Sequence, residues 1–185
     1  MQPCRRVGLD VTSRCPYKCP FCFYHYEEKK PEPTFGELTA KVDRALAGGL
    51  DQMVMVGYGE PSISDHALPI LNYCHQRGMA TSMITTGATG LVRFDAFFDW
   101  GMDHALLSVH AVGTLLDNIF GSVGAFDRQQ KLIDWMNEQG YRFCANVAIF
   151  QGNYRQLPET AAYLVEKNTH HVALLNHLPH YGLAN

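Results

Sequence analysis

A chain of 185 residues with 46% hydrophobic side chains is long enough for one domain with a substantial core. Its net charge of −3 and pI near 6.3, without a polybasic stretch, give no footprint for nucleic acid or an anionic membrane surface. No apolar run is long enough to span a bilayer, Met1 to Arg6 leads into no apolar signal segment, and six cysteines are too sparse for a disulfide framework. The expected setting is therefore a reducing cytoplasm.

Apolar alternation over Val7-Gly8-Leu9-Asp10-Val11 predicts a first strand, and Cys15-Pro16-Tyr17-Lys18-Cys19-Pro20-Phe21-Cys22 follows it directly. Three thiols in eight residues, spaced C-x3-C-x2-C, favour a shared soft metal centre over core packing. Iron–sulfur clusters are usually held by four cysteine thiolates, so a cubane held here by three keeps one iron open to a small chelating ligand. Zinc is the alternative, because His25 stands three residues beyond Cys22 and completes a Cys3His set.

Prolines and charges between Glu27 and Pro33 form an irregular link, and Thr34-Phe35-Gly36-Glu37 offers a capping box. Leu38, Val42, Ala45 and Leu46 stripe the helix that follows, and Gly48-Gly49 ends it. Strand and helix then alternate. Gln52–Val56 is a strand, Ser64 is expected to cap a helix carrying Leu68, Leu71 and Cys74, and Met79–Thr85 is a third strand. A short helix over Leu91–Trp100 precedes a fourth strand, Asp103–His110. A helix lined by Phe126, Ile133 and Met136 precedes a fifth, Arg142–Phe150. Pro158 opens the next helix, and Val172–Leu175 is the sixth strand. This order means right-handed βαβ units and a parallel sheet, whose ligands gather past the carboxyl ends of the strands. A closed eight-stranded barrel needs about 250 residues, more than are present.

The strand ends carry the remaining candidates. After the second strand, Gly57-Tyr58-Gly59-Glu60-Pro61 combines small residues, free carbonyls and a carboxylate able to receive an ammonium group. The third strand ends in Thr85-Thr86-Gly87-Ala88-Thr89-Gly90, and in the fourth Ser108 and His110 share a face. Asn146 lies among apolar neighbours on the fifth strand, so its amide requires a partner. The sixth leads into Asn176-His177-Leu178-Pro179-His180-Tyr181. Cys4, Cys74 and Cys144 have no ligand spacing and read as a terminal thiol and small buried residues, and Phe97, Phe98 and Trp100 read as packing.

The cysteine run, with Phe21 before its third cysteine, and the two glycine-containing turns after it resemble the radical S-adenosylmethionine (SAM) enzymes from roughly Val7 to Leu178. The resemblance implies an α/β fold, a (β/α)6 partial TIM barrel of parallel strands, as a single core domain over residues 1–185 with β1 at about 7–11 and β6 at about 172–175. It implies that Cys15, Cys19 and Cys22 hold a [4Fe-4S] cluster whose open iron chelates SAM, and that an electron from a flavodoxin or ferredoxin-like donor cleaves SAM to a 5′-deoxyadenosyl radical.

Phe21 adjoins that site by resemblance. Gly59, Glu60 and Pro61 match the Gly-Gly-Glu-Pro motif that receives the methionine amino group, with Tyr58 in place of its first glycine. Thr86 replaces the asparagine of a Thr-Asn-Gly turn, Ser108 and His110 meet SAM or substrate, Asn146 meets ribose, and Leu178 meets adenine through its backbone. The substrate is a peptide, a protein or a small molecule, and a compact activase that installs a glycyl radical also suits the length. The rival is a noncatalytic zinc-binding or scaffold module on the same fold. No covering helix is predicted after the sixth strand, so a partner or a missing carboxyl-terminal segment is expected to meet that edge.

Overall fold

The structure, a computed structural model, describes residues 5–22 and 30–176. Six strands form one parallel sheet in the order of the chain: β1 (Arg6–Asp10), β2 (Gln52–Val56), β3 (Ala80–Thr85), β4 (His104–Ser108), β5 (Phe143–Ile149) and β6 (Val172–Asn176). β1 and β6 are not paired with one another, so the sheet is an open half-barrel, the (β/α)6 partial TIM barrel expected. Helices α1 (Phe35–Ala47), α2 (Ala67–His75), α3 (Leu91–Asp99), α4 (Thr114–Phe120), α5 (Ala125–Gln139) and α6 (Leu157–Glu166) fill the crossovers.

Strand alternation divides the sheet into two faces. Leu9, Met53, Met55, Met83, Leu107, Phe143 and Val147 point one way into the main core, where they meet Leu38 and Val42 of α1, Ile70 and Leu71 of α2, Phe94 and Phe97 of α3, Ile133 and Met136 of α5, and Leu164 of α6. The other face is concave and half-buried. Register sets its residues in rows: Asp10, Val56, Ile84, Leu106 and Cys144 form one, with Ser108, Asn146 and Ala173 in the next towards the carboxyl ends.

The capping box forms as its spacing predicts, since Thr34 Oγ1 accepts from Glu37 N at 3.3 Å and Glu37 Oε2 accepts from Thr34 N at 2.8 Å. Ser64 does not cap α2. It ends a 3-10 turn over Pro61–Ile63, donates through Oγ to Val11 O at 2.8 Å, and so ties the second crossover to the end of β1. Helix α4 was not expected. Its seven residues lie between glycines and carry little periodicity, but Leu116, Ile119 and Phe120 are buried in a second, smaller core at the carboxyl end of the barrel.

Phe98 stacks on Tyr141 at 3.9 Å, while Trp100 is 46% exposed and Cys144 sits half-buried on the concave face rather than in the core. Among the described residues no helix is long and apolar enough to cross a membrane. Phe94 is fully buried edge-on to Phe97 at 5.7 Å, so Phe94→Ala should lower stability by about 3–5 kcal/mol, read as a fall in the thermal midpoint by circular dichroism.

Candidate active site

The cysteine loop leaves β1 and is closed at its neck by Glu32. Glu32 Oε2 accepts from Thr12 Oγ1, and Oε1 accepts from both Ser13 N and Ser13 Oγ, each at 2.7 Å. Burial alone would raise the Glu32 carboxyl, but these hydrogen bonds and nearby Arg14 hold it below the usual range.

The loop is seated by its aromatic residues. Tyr17 stacks on Phe120 of α4 with centroids 4.6 Å apart and rings 11° from parallel, and Lys18 N donates to Phe120 O at 3.3 Å. Phe21 is held between His110 and Phe150, 4.8 Å from each. The smaller core is thus a platform for this loop, with Cys19 and Phe21 packed against it.

Cys15 is exposed, Cys19 and Cys22 are half-buried, and none of the three is in a disulfide. Cys15 reaches the surface, yet burial of its surroundings is the main cause that pushes it up to about 11; burial, then the fields of Cys22 and Cys15, pushes Cys19 to about 12. Without a cation Cys15 and Cys19 are protonated at neutral pH. A bound soft metal reverses that balance, because it stabilises the thiolates that repel one another.

Among the described residues no three His, Cys, Asp or Glu side chains are already closed around one point, so binding requires this short loop to draw its sulfurs together. The donor chemistry fits a soft centre on three thiolates. His25, needed for the zinc alternative, lies outside the described residues, as do Cys4, Leu178, His177, His180 and Tyr181.

Glu60 joins three crossovers. Its backbone N–H donates to Arg14 O at 2.8 Å, fixing the residue before Cys15. Its buried carboxylate accepts from Ser62 N at 3.0 Å, from Thr85 Oγ1, and from Thr86 N and Oγ1 at 2.7 and 2.6 Å. These four contacts occupy the carboxylate from within the chain. Gly59 is required by contact, since a Cβ there would lie 2.0 Å from Arg14 O. Pro61 is buried behind it.

The carboxyl ends of β4 and β5 are separated by side chains. Val109 N still donates to Asn146 O at 3.0 Å, but Ala148 N donates to His110 Nδ1 at 3.1 Å, so the imidazole takes a place in the ladder and its proton resides on Nε2. Asn153 Nδ2 bridges His110 O and Ala148 O at 2.6 and 2.7 Å. Gln129 Nε2 spans Thr86 O and Ser108 O at 2.9 and 3.0 Å, which sets the ends of β3 and β4. Ser108 and Asn146 are register partners on the concave face, and Thr86, just past the end of β3, is half-buried with its hydroxyl on Glu60.

Glu32 and Gln129 escape a sequence reading. Glu32 is one charge in a proline-rich link with no signal. Gln129 does carry one, as a polar residue in the apolar stripe of α5, and Asn153 differs from Asn146 only in what surrounds it.

Glu60→Gln turns an amide N–H2 toward a backbone N–H whichever way it is placed, so it should destabilise the fold by about 2–3 kcal/mol in chemical denaturation. Burial depresses His110 to about 4, below the roughly 6.5 of the unfolded chain, so the unfolded state takes up the proton first. Stability from this group is fully present above about pH 6.5 and falls by up to about 3 kcal/mol towards pH 4. His110→Phe should flatten that part of the pH profile measured by thermal unfolding.

The profile of the Radical SAM superfamily matches residues 9–164. A PqqA peptide cyclase from Methylocella silvestris is 30% identical over 183 residues, covering 95% of this chain and 48% of that protein. The cyclase of the same name from Methylorubrum extorquens is 28% identical, covering 96% and 47%. The chain therefore spans about half the length of the curated relatives it matches.

Among solved structures, Streptococcus suis SuiB bound to its precursor peptide SuiA superposes with a TM-score of 0.81 at 20% identity, covering 95% of this chain and 40% of that one. SuiB bound to S-adenosylmethionine also gives 0.81 at 20% identity, covering 97% and 42%. With the profile spanning the cysteine loop and the half-barrel as far as α6, short of β6, the chain belongs to the radical SAM superfamily.

Proposed function

We propose that this chain is the catalytic core of a radical SAM enzyme that modifies a peptide. The observation that carries the chemistry is the loop of three cysteines, none in a disulfide, seated at the carboxyl ends of the strands, in a family that uses a [4Fe-4S] cluster and SAM. The peptide substrate is supported by the relatives named PqqA peptide cyclase and by the precursor peptide bound to SuiB.

In this reading Cys15, Cys19 and Cys22 hold the cluster, which supplies the electron that cleaves SAM to a hydrogen-abstracting radical. The chain supplies position. Glu60 fixes the Gly57–Gly59 turn so that its carbonyls face the methionine ammonium, and it holds Thr86 at the rim. Ser108 and Asn146 present polar groups to the ribose, and Leu178 offers its backbone to adenine. His110 keeps Nδ1 as acceptor from Ala148 and Nε2–H as donor, while its ring, with Phe150, seats Phe21 of the cysteine loop. Electrons come from a reduced flavodoxin or ferredoxin-like protein, which places the reaction in a reducing compartment.

Anaerobic reconstitution with iron and sulfide, followed by low-temperature electron paramagnetic resonance of the reduced protein, should give a cubane signal that SAM perturbs. Cys15→Ala should abolish both the signal and SAM cleavage. A colourless protein that takes up zinc and ignores SAM would establish the scaffold reading instead.

A further inference from the structure

All three cysteines of the loop lie between Thr12 and Glu32, so a contact between these two residues closes a ring of chain around the whole donor set. Glu32 makes that closure by accepting from Thr12 Oγ1, Ser13 N and Ser13 Oγ, each at 2.7 Å, with Arg14 Nε 3.6 Å from its carboxylate. Thr12 Oγ1 in turn accepts from Arg14 N at 3.1 Å. One side chain from the proline-rich link thus engages three consecutive residues immediately ahead of Cys15.

Glu32 takes the donors of this segment, and the β2 turn covers its carbonyls. A Cβ on Gly57 would lie 3.1 Å from Thr12 O and one on Gly59 2.0 Å from Arg14 O, while Glu60 N donates to Arg14 O at 2.8 Å. Residues 12–14 are therefore clamped between Glu32 and the turn of Gly57 to Glu60.

Cys15 depends on that clamp in a way that the other two cysteines do not. Cys19 packs on the smaller apolar core, and Cys22 N donates to Cys19 O at 3.0 Å, so this pair is seated on the aromatic platform. Cys15 is exposed and packs on neither core. Its sulfur accepts from the Tyr17 backbone N–H, but the chain that leads to it is set by residues 12–14.

We propose that Glu32 is a positioning residue for the cluster: it fixes the backbone that carries Cys15, and so the place of that one sulfur relative to the pair on the platform. The inference rests on the reading that the three cysteines hold the cluster, and adds the residue that spaces them. A loop already closed at Thr12 and Glu32 loses less freedom when a metal draws in its sulfurs than one left open beyond Cys22. Groups that orient metal ligands from outside change metal affinity by about 10–100-fold.

The test is the rate at which a ferrous-iron chelator removes iron from the anaerobically reconstituted full chain. Glu32→Ala should release iron at least about tenfold faster than the wild type. Glu32→Gln keeps an oxygen for Ser13 N, and the Thr12 hydroxyl can accept from its amide, so it should stay within about threefold of the wild type. Phe94→Ala, which loosens the main core, should also stay within about threefold although its thermal midpoint falls further than that of Glu32→Ala.

Release from Glu32→Ala at the wild-type rate overturns the proposal. So does release from Phe94→Ala as fast as from Glu32→Ala, because iron loss then follows stability alone, and so does a Glu32→Gln protein as leaky as Glu32→Ala, because charge and not hydrogen-bond geometry then acts. Where Glu32→Ala takes up too little iron to measure, Thr12→Val, which removes one bond of the clamp, should release iron faster than the wild type, and an unchanged rate there counts against the proposal equally. A wild-type protein that assembles no cluster sinks the parent reading, whereas a wild-type cluster held equally well without Glu32 sinks the clamp alone.

Discussion

A buried carboxylate with four donors around it, tied through its own backbone to the residue before the first cysteine, is the constraint on which the carboxyl end of this barrel depends. Glu60 belongs to the second crossover, yet it holds the first by Arg14 O and the third by Thr85 and Thr86. Each such bond contributes on the order of 1–3 kcal/mol, and their directions matter as much as their sum. They fix three loops relative to one another where no sheet ladder reaches. Gly59 permits the approach, since no larger residue lets the β2 turn lie on the backbone of Arg14.

The other half of the site is organised by rings rather than by charge. Tyr17 on Phe120 and Phe21 between His110 and Phe150 bring the cysteine loop onto the ends of β4, α4 and β5. Buried aromatic pairs of this kind add about 0.5–1.5 kcal/mol beyond their area. The loop is therefore anchored on one side by hydrogen bonds to Glu32 and Glu60 and on the other by a small apolar core. Its sulfurs lie between, on a backbone short enough to adjust when a metal gathers them.

Much of this was legible in the residues. Period-two and period-3.6 patterns located all six strands within about two residues, because a parallel sheet buries one face of each strand against a helix and leaves a strong apolar signal. The cysteine spacing and the glycine turns marked the strand ends that the fold brings together. Helix α4 was invisible because its seven residues are stabilised by Tyr17 and Phe126, both remote from its own pattern. Ser64 looked like a cap and is a tie to Val11, since a hydroxyl after a strand serves either purpose until tertiary structure selects one. Glu60 was readable as a functional carboxylate, but only the structure shows that its oxygens are occupied by the chain itself.

The stacking of Tyr17 on Phe120 also orders events in time. The sheet pairs strands in the order in which they are made, so the barrel can grow from its first strand as the chain emerges. The platform for the cysteine loop cannot, because Phe120 is synthesised about a hundred residues after Tyr17, on the order of ten seconds at ribosomal rates. For that interval the three thiols stand on a loop without its floor, open to metals and oxidants alike. Selection of the right metal is therefore a matter of when the loop is offered one as well as of its ligand set.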